Sequence, residues 1–291
     1  MARIALDPTP YHSTHDFLDF FDVAAANGYE WIQLTPHPDW IPFFGHPRVD
    51  DAYVTRVRER SASTGVKITS LLPVQRLSWP EEPLRQAAVR NFTRIIEIAA
   101  QLEVPVINTE FSGRPERAEE SEAGFYRSME QLIPVLERHG VTLNIDPHPD
   151  DFVEDGLAAW QIIRGLNSTA VGFVYVASHT FHMGDRAESL IPQLGDRLGA
   201  VYAADTFDHN RSHGLRYITN PPGNAVRVHQ HLAIGDGDVD WDQLFAVLGE
   251  SGFLAREDAI LCSNVFGEDE RADEVSRSQL ARITDLVAKH S

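Results

Sequence analysis

Cysteine is almost missing: Cys262 is the only one in 291 residues. That excludes an internal disulfide and any zinc motif built on cysteines. Cys262 lies in the apolar run Ala-Ile-Leu-Cys and reads as a small buried hydrophobe. Positive charge is scarce too, with 25 Lys+Arg against 43 Asp+Glu and a net charge of −18. A phosphate backbone needs a basic footprint, so nucleic acid is excluded as a partner. No run reaches the roughly 20 apolar residues of a membrane span. The opening Met-Ala-Arg-Ile-Ala-Leu-Asp also lacks the apolar stretch of a signal peptide. A cytoplasmic protein with no membrane partner is expected.

A hydrophobic fraction of 43% and a charged fraction of 23% suit a large globular core. Eight short apolar runs punctuate the chain: Arg3–Asp7, Glu30–Thr35, Lys67–Pro73, Val104–Phe111, Val141–Asp146, Val171–Ser178, Ala200–Thr206 and Ala259–Val265. Continuous apolar runs of this length fit strands buried on both faces of a parallel sheet. Between them, helices are predicted over His15–Asn27, Pro83–Leu102, Phe125–His139, Asp155–Leu166, Glu188–Leu194, Trp241–Gly252 and Ser276–Lys289. Gly or Asn at most helix-to-strand joints, such as Gly65 and Gly140, suits left-handed C-caps. The alternation predicts an α/β fold: one (β/α)₈ TIM barrel domain over residues 1–291, its site at the carboxyl ends of the strands. The longest connection, Phe207–Asp240, lacks clear periodicity, and such loops are more often functional than decorative.

Chemistry-bearing side chains gather at the predicted strand tips. Glu110 ends the fourth strand. Asp146 and His148 follow the fifth and, two residues apart, share one side of an extended chain. His179 and His182 follow the sixth, the latter between Phe181 and Met183 and read as structural; Asp205 and His209 follow the seventh. His229 and His231 precede the turn Ile234-Gly235-Asp236-Gly237. Imidazole and carboxylate are the usual ligands of Zn²⁺, Mn²⁺ and related ions, and they also shuttle protons. Arg216 and Asn220 in the long loop suit clamping of an anionic or polyhydroxyl ligand. His37 is a further rim position, and Trp40 with Phe43-Phe44 offers an apolar wall for a sugar ring.

These segments resemble the sugar phosphate isomerase/epimerase superfamily of xylose-isomerase-like barrels, and more narrowly the IolH family of myo-inositol catabolism. The resemblance rests on Thr-Pro-His-Pro (35–38), Ile-Asn-Thr-Glu-Phe-Ser-Gly (107–113), Tyr-Arg-Ser-Met-Glu (126–130) and His-Pro-Asp-Asp-Phe (148–152). It continues through His-Thr-Phe (179–181), Ala-Asp-Thr (204–206), Arg-Tyr-Ile-Thr-Asn-Pro-Pro-Gly (216–223), Val-His-Gln-His (228–231) and Val-Asp-Trp (239–241). It implies a divalent metal (Mn, Zn or Mg) held by Glu, Asp, His and Glu at the tips of strands five to eight. In this chain those places fall on Asp146, Val176, near Tyr202, and near Ser263 or Asn264, so three of the four ligand types are replaced. The AP endonucleases of the superfamily imply a second arrangement. It falls here on His179, His229 and His231, with Asp146 or His148 nearby.

The resemblance implies an isomerase or epimerase of a sugar- or cyclitol-derived carbonyl compound, acting by proton transfer beside the carbonyl. Glu110 or His148 is the expected base, Asp205 and His209 handle the second proton, and Arg216 and Asn220 orient the ligand. Two alternatives stand: a lyase cleaving an oxidised (3-keto) glycoside through an enolate, and a barrel that only binds a ligand or supports a partner subunit. A small sugar or polyol is the expected ligand, with a homo-oligomer or a partner subunit as the assembly.

Overall fold

The computed structural model describes residues 2–182, 184, 186–208, 217–218, 228–229, 231–266 and 269–291, with backbone alone at 217–218, 228–229 and 269. Strand β1 (Arg3–Leu6) is followed by α1 (Phe20–Ala26), β2 (Trp31–Leu34), α2 (Asp51–Thr64), β3 (Lys67–Leu71) and α3 (Glu82–Gln101). Next come β4 (Val106–Glu110), α4 (Ala118–His139), β5 (Thr142–Asp146), α5 (Gly156–Gly165), β6 (Val171–Val176), α6 (Ala177–Thr180) and α7 (Ala187–Leu194). The chain ends with β7 (Leu198–Ala203), the short pair β8 (Tyr217–Ile218) and β9 (Val228–His229), α8 (Trp241–Glu250), β10 (Ile260–Ser263) and α9 (Ala272–His290). Eight strands close a parallel barrel in the order β1-β10-β7-β6-β5-β4-β3-β2. The predicted (β/α)₈ TIM barrel is the observed fold.

All eight barrel strands coincide with the apolar runs. Helix α2 has no counterpart in the periodicity because its sequence is mostly polar, with only Val54 and Val57 buried. Its ends are set locally: the Asp50 carboxylate accepts from Tyr53 N at 2.7 Å, and Gly65 stops it in the left-handed conformation (φ 77°). The predicted His15–Asn27 helix resolves into a 3₁₀ turn, Phe17–Asp19, and α1. Helix α4 begins seven residues before the predicted Phe125, at Ala118. No described helix is long and apolar enough to cross a membrane.

Alternate residues of each strand face inward, and the interior divides into two halves. On one side Ala5, Val174, Val176, Ala200, Tyr202, Ile260 and Cys262 pack together. On the other, the Gln33 Oε1 accepts from Ser70 Oγ (2.9 Å), Asn108 Nδ2 (2.9 Å) and Tyr202 Oη (2.7 Å). Asn144 Nδ2 donates in turn to Asn108 Oδ1 at 3.0 Å. Two glycines make room for this amide. A Cβ on Gly172 would lie 2.4 Å from Asn144 Oδ1, and one on Gly199 only 2.3 Å from Asn144 Nδ2. Gly199→Ala is therefore expected to cost about 1–3 kcal/mol through overpacking. Chemical denaturation reads this, and an unchanged midpoint would contradict the packing account.

Candidate functional site

Strands β4 and β5 pair in register to their last residues, with Glu110 opposite Asp146. The chain then turns so that His148 Nε2 lies 3.4 Å from Glu110 Oε2, their side chains 27% and 18% exposed. These two groups are therefore within reach of a ligand at the barrel mouth. Each is anchored from behind. His148 Nδ1 donates to Pro149 O at 2.8 Å, while Glu110 Oε1 accepts from Ser112 Oγ at 2.8 Å. Ser112 holds a left-handed φ of 54°, uncommon for a side chain other than glycine. Burial alone would depress the His148 pKa. The Glu110, Asp146 and Asp151 carboxylates outweigh it and hold His148 above its ordinary value.

Beside this pair stands a second file of groups. His179 Nδ1 contacts Asp146 Oδ2 at 3.1 Å and Pro147 O at 3.2 Å, and its Nε2 faces His231 Nε2 at 3.0 Å. His231 is fixed by Nδ1 donating to Asn264 O at 2.7 Å and by stacking on Phe266, centroids 4.2 Å apart. Asn264 is itself held by Asp7, whose Oδ2 accepts from Asn264 Nδ2 at 2.6 Å. The files touch through the His148 and His179 rings, edge-to-face at 4.8 Å. Burial pushes the Asp146 carboxyl well above the ordinary range and the His231 imidazolium down to about 3.

Five sequence-predicted residues thus converge: Glu110, Asp146, His148, His179 and His231. Two others are corrected. Asp205 is fully buried, and its oxygens accept from Thr206 N (2.8 Å), Gly235 N (2.8 Å), Val239 N (3.1 Å) and Trp241 Nε1 (2.9 Å). It organises the turn into α8 and offers no lone pair for proton transfer to substrate. Trp40 is fully buried and stacked on Phe17 at 4.7 Å, so it presents no wall for a sugar; Phe43 and Phe44, 60% and 44% exposed, remain at that rim. His37 joins the same aromatic cluster, and His182 Nδ1 donates to Phe207 O at 2.9 Å. His209, Arg216 and Asn220 lie outside the described residues, as does the side chain of His229. Sequence reasoning missed Asp7 at the β1 tip and Asp151, which stood in plain view within His-Pro-Asp-Asp-Phe, and named Asn264 only as a replaced metal ligand.

For a metal, the strand-tip ligand set does not fit. Val176 and Tyr202 sit side by side in the β6–β7 register, and the Tyr202 hydroxyl is committed to Gln33. The His179–His231 pair fits better. With each Nδ1 anchored on oxygen, both Nε2 atoms bring lone pairs toward one point, which calls for a proton or a cation between them. Asp146 stands behind His179 as carboxylates do behind metal-bound imidazoles, rather than as a ligand itself. No group of three or more His, Cys, Asp or Glu side chains able to hold a metal occurs among the described residues.

A family model described as xylose isomerase-like TIM barrel matches residues 21–285. The chain belongs to this family. Among curated relatives of this xylose isomerase-like barrel, the C-glycoside deglycosidase alpha subunit of Microbacterium trichothecenolyticum is 25% identical over 191 residues, 59% of this chain and 49% of that protein. The chain spans about half the length of the curated relatives it matches. These carry the deglycosidase name rather than that of IolH. Among solved structures, the IolI protein with a binding zinc atom superposes with a TM-score of 0.74 at 19% identity, covering 99% of each chain. D-psicose 3-epimerase from Clostridium cellulolyticum H10 superposes at 0.75 and 13% identity, covering 98% of this chain and 99% of that one. At these identities the structural likeness concerns the fold.

Asp151, near Glu110 and His148, is pushed up to about 6 by burial and by the Glu110 carboxylate, against the hydrogen bonds from Phe152 and Gly113. An acid whose folded pKa exceeds its unfolded value favours the fold most when protonated. Its contribution is therefore lost as pH rises through the interval from about 4 to about 6. Asp151→Asn keeps an acceptor and removes the charge. It is expected to raise stability by up to about 3 kcal/mol near pH 8 and to change it little near pH 4. Denaturant titrations at the two pH values check this; equal pH dependence of variant and wild type would contradict it.

Proposed function

We propose that this barrel removes a proton beside the ketone of an oxidised (3-keto) glycoside, and that the resulting enolate expels the aglycone. The Glu110–His148 contact carries the reading: a carboxylate beside an imidazole whose own pKa is raised, both largely buried yet open to the mouth, form a base and an acid in one place. Glu110 accepts the α-proton, and the C–H electron pair moves toward the ketone to form the enolate. The enolate electrons then form a carbon–carbon double bond while the glycosidic bond breaks. Its electron pair leaves with the aglycone, which takes a proton from the His148 imidazolium. The buried His179 ring, edge-to-face on His148 and held by Asp146, orients the acid. The likeness to C-glycoside deglycosidase alpha subunits supports expulsion over simple proton return.

His179 and His231 are the described residues that would hold a divalent ion, which when bound would polarise the ketone. The name "alpha subunit" in the relatives supports a second subunit as partner. If the proton returns to carbon before the aglycone leaves, the outcome is isomerisation or epimerisation, with a sugar, or by the resemblance to IolH a cyclitol, as substrate.

Incubation with 3-keto C- and O-glycosides in deuterated water separates these outcomes. Aglycone release is expected, together with deuterium beside the ketone, and Glu110→Gln is expected to lower both by at least about 100-fold. Deuterium uptake without release selects the isomerase outcome. Neither uptake nor release with any such substrate overturns the proton-transfer reading. A separate expectation concerns the rim: Phe43→Ala with Phe44→Ala should raise KM about tenfold while leaving kcat within about twofold, since truncating an exposed contact removes binding common to ground and transition states. Steady-state kinetics check it, and an unchanged KM excludes the rim from substrate binding.

A further inference from the structure

We infer that Asp151 is a positioning residue whose carboxylate locks the Glu110–His148 pair into its reactive geometry; this rests on the proton-transfer reading of that pair. One oxygen of Asp151 takes two backbone donors from different loops. Its Oδ1 accepts from Gly113 N at 2.7 Å and from Phe152 N at 2.7 Å. The spacing is symmetrical. Gly113 stands three residues after Glu110, and Asp151 three residues after His148, so the clamp closes at the same distance along the chain beyond each member of the pair. Asp151 N also donates to His148 O at 3.1 Å, tying the clamp directly to the imidazole-bearing turn.

The surroundings are built to that shape. Residues flanking the clamp on both loops hold left-handed backbone, Ser112 at φ 54° and Asp150 at φ 64°, conformations that persist only where contacts over-determine them. A side chain at Gly113 would have to push the clamp open, since its Cβ would lie against Phe152 Cδ1 and 3.0 Å from Asp151 Oδ1. The backbones of the β4–α4 and β5–α5 loops are thus pressed together around one carboxylate that is only 6% exposed. The proposed chemistry gives Asp151 no proton to move, and its charge adds only to the field that Glu110 and Asp146 set on His148; without it the two segments bearing acid and base lose their shared anchor.

The asparagine variant separates clamp from charge, because its Oδ1 can accept the same two N–H groups. Using the full chain and the 3-keto glycoside exchange assay, Asp151→Asn is expected to keep kcat within about threefold. Asp151→Ala is expected to lose about 30-fold in kcat with KM changed less than about threefold, as misplacement of reacting groups by a fraction of an ångström does. Circular dichroism confirms that each variant is folded; should the alanine variant not fold, Gly113→Ala takes its place with the same expected loss. An alanine variant within twofold of wild type overturns the inference. So does an asparagine variant as impaired as alanine, since charge rather than the clamp would then be what matters. If wild type is inactive on every 3-keto glycoside, the functional reading fails by itself and amide hydrogen exchange decides the clamp. Gly113 and Phe152 N–H groups slow in wild type and Asp151→Asn but fast in Asp151→Ala support it; equal rates in all three overturn it.

Discussion

The in-register pairing of β4 with β5 is the constraint on which the site depends. Five parallel partners, from Val106 with Thr142 to Glu110 with Asp146, carry both strands to the mouth at the same height. A slip of one residue in β4 would turn Asn108 and Glu110 from the interior to the helix layer, and one in β5 would do the same to Asn144 and Asp146. With the register fixed, Glu110 meets His148 and Asp146 meets His179, so an acid–base pair and a carboxylate–imidazole pair arise from two neighbouring strands. The third strand in line, β6, supplies His179 through the single turn α6, and the segment before α8 brings His231.

Beneath the mouth the barrel interior matches this asymmetry. Its polar half, with Gln33, Ser70, Asn108 and Asn144 linked by hydrogen bonds, lies below Glu110 and Asp146. Buried hydrogen-bond networks of this kind rigidify what they support. The apolar half is lined from β1, β6, β7 and β10, with Val176 and Tyr202 side by side in the β6–β7 register. Backbone strain follows the same division of labour. Phe44, Ser112 and Asp150 adopt positive φ on loops leaving the carboxyl ends of strands, whereas Glu103 and Asn167 do so where helices α3 and α5 stop.

Most of the architecture was legible because strands buried on both faces leave unbroken apolar runs. Helix α2 was not, since it is held by Asp50, Gly65 and two valines rather than by a wide apolar stripe. Within the site, Glu110, Asp146, His148, His179 and His231 could be found because strand tips of a barrel point to one cavity. Asp205 looked the same in sequence, yet its donors come from Gly235, Val239 and Trp241, some thirty residues away, and only the fold reveals them. Trp40 misled for a related reason: its stacking partner Phe17 comes from the preceding βα unit. Asp151 was passed over because its neighbour His148 carried the more familiar chemistry.

The central claim is that Glu110 and His148 act as one electrostatically coupled pair. Nitrogen-15 NMR of the imidazole rings, titrated in wild type and in Glu110→Gln, tests it most directly. The account requires His148 to titrate above its ordinary value in wild type and to fall when the Glu110 charge is removed. A His148 that titrates at or below that value, unmoved by the substitution, would contradict it.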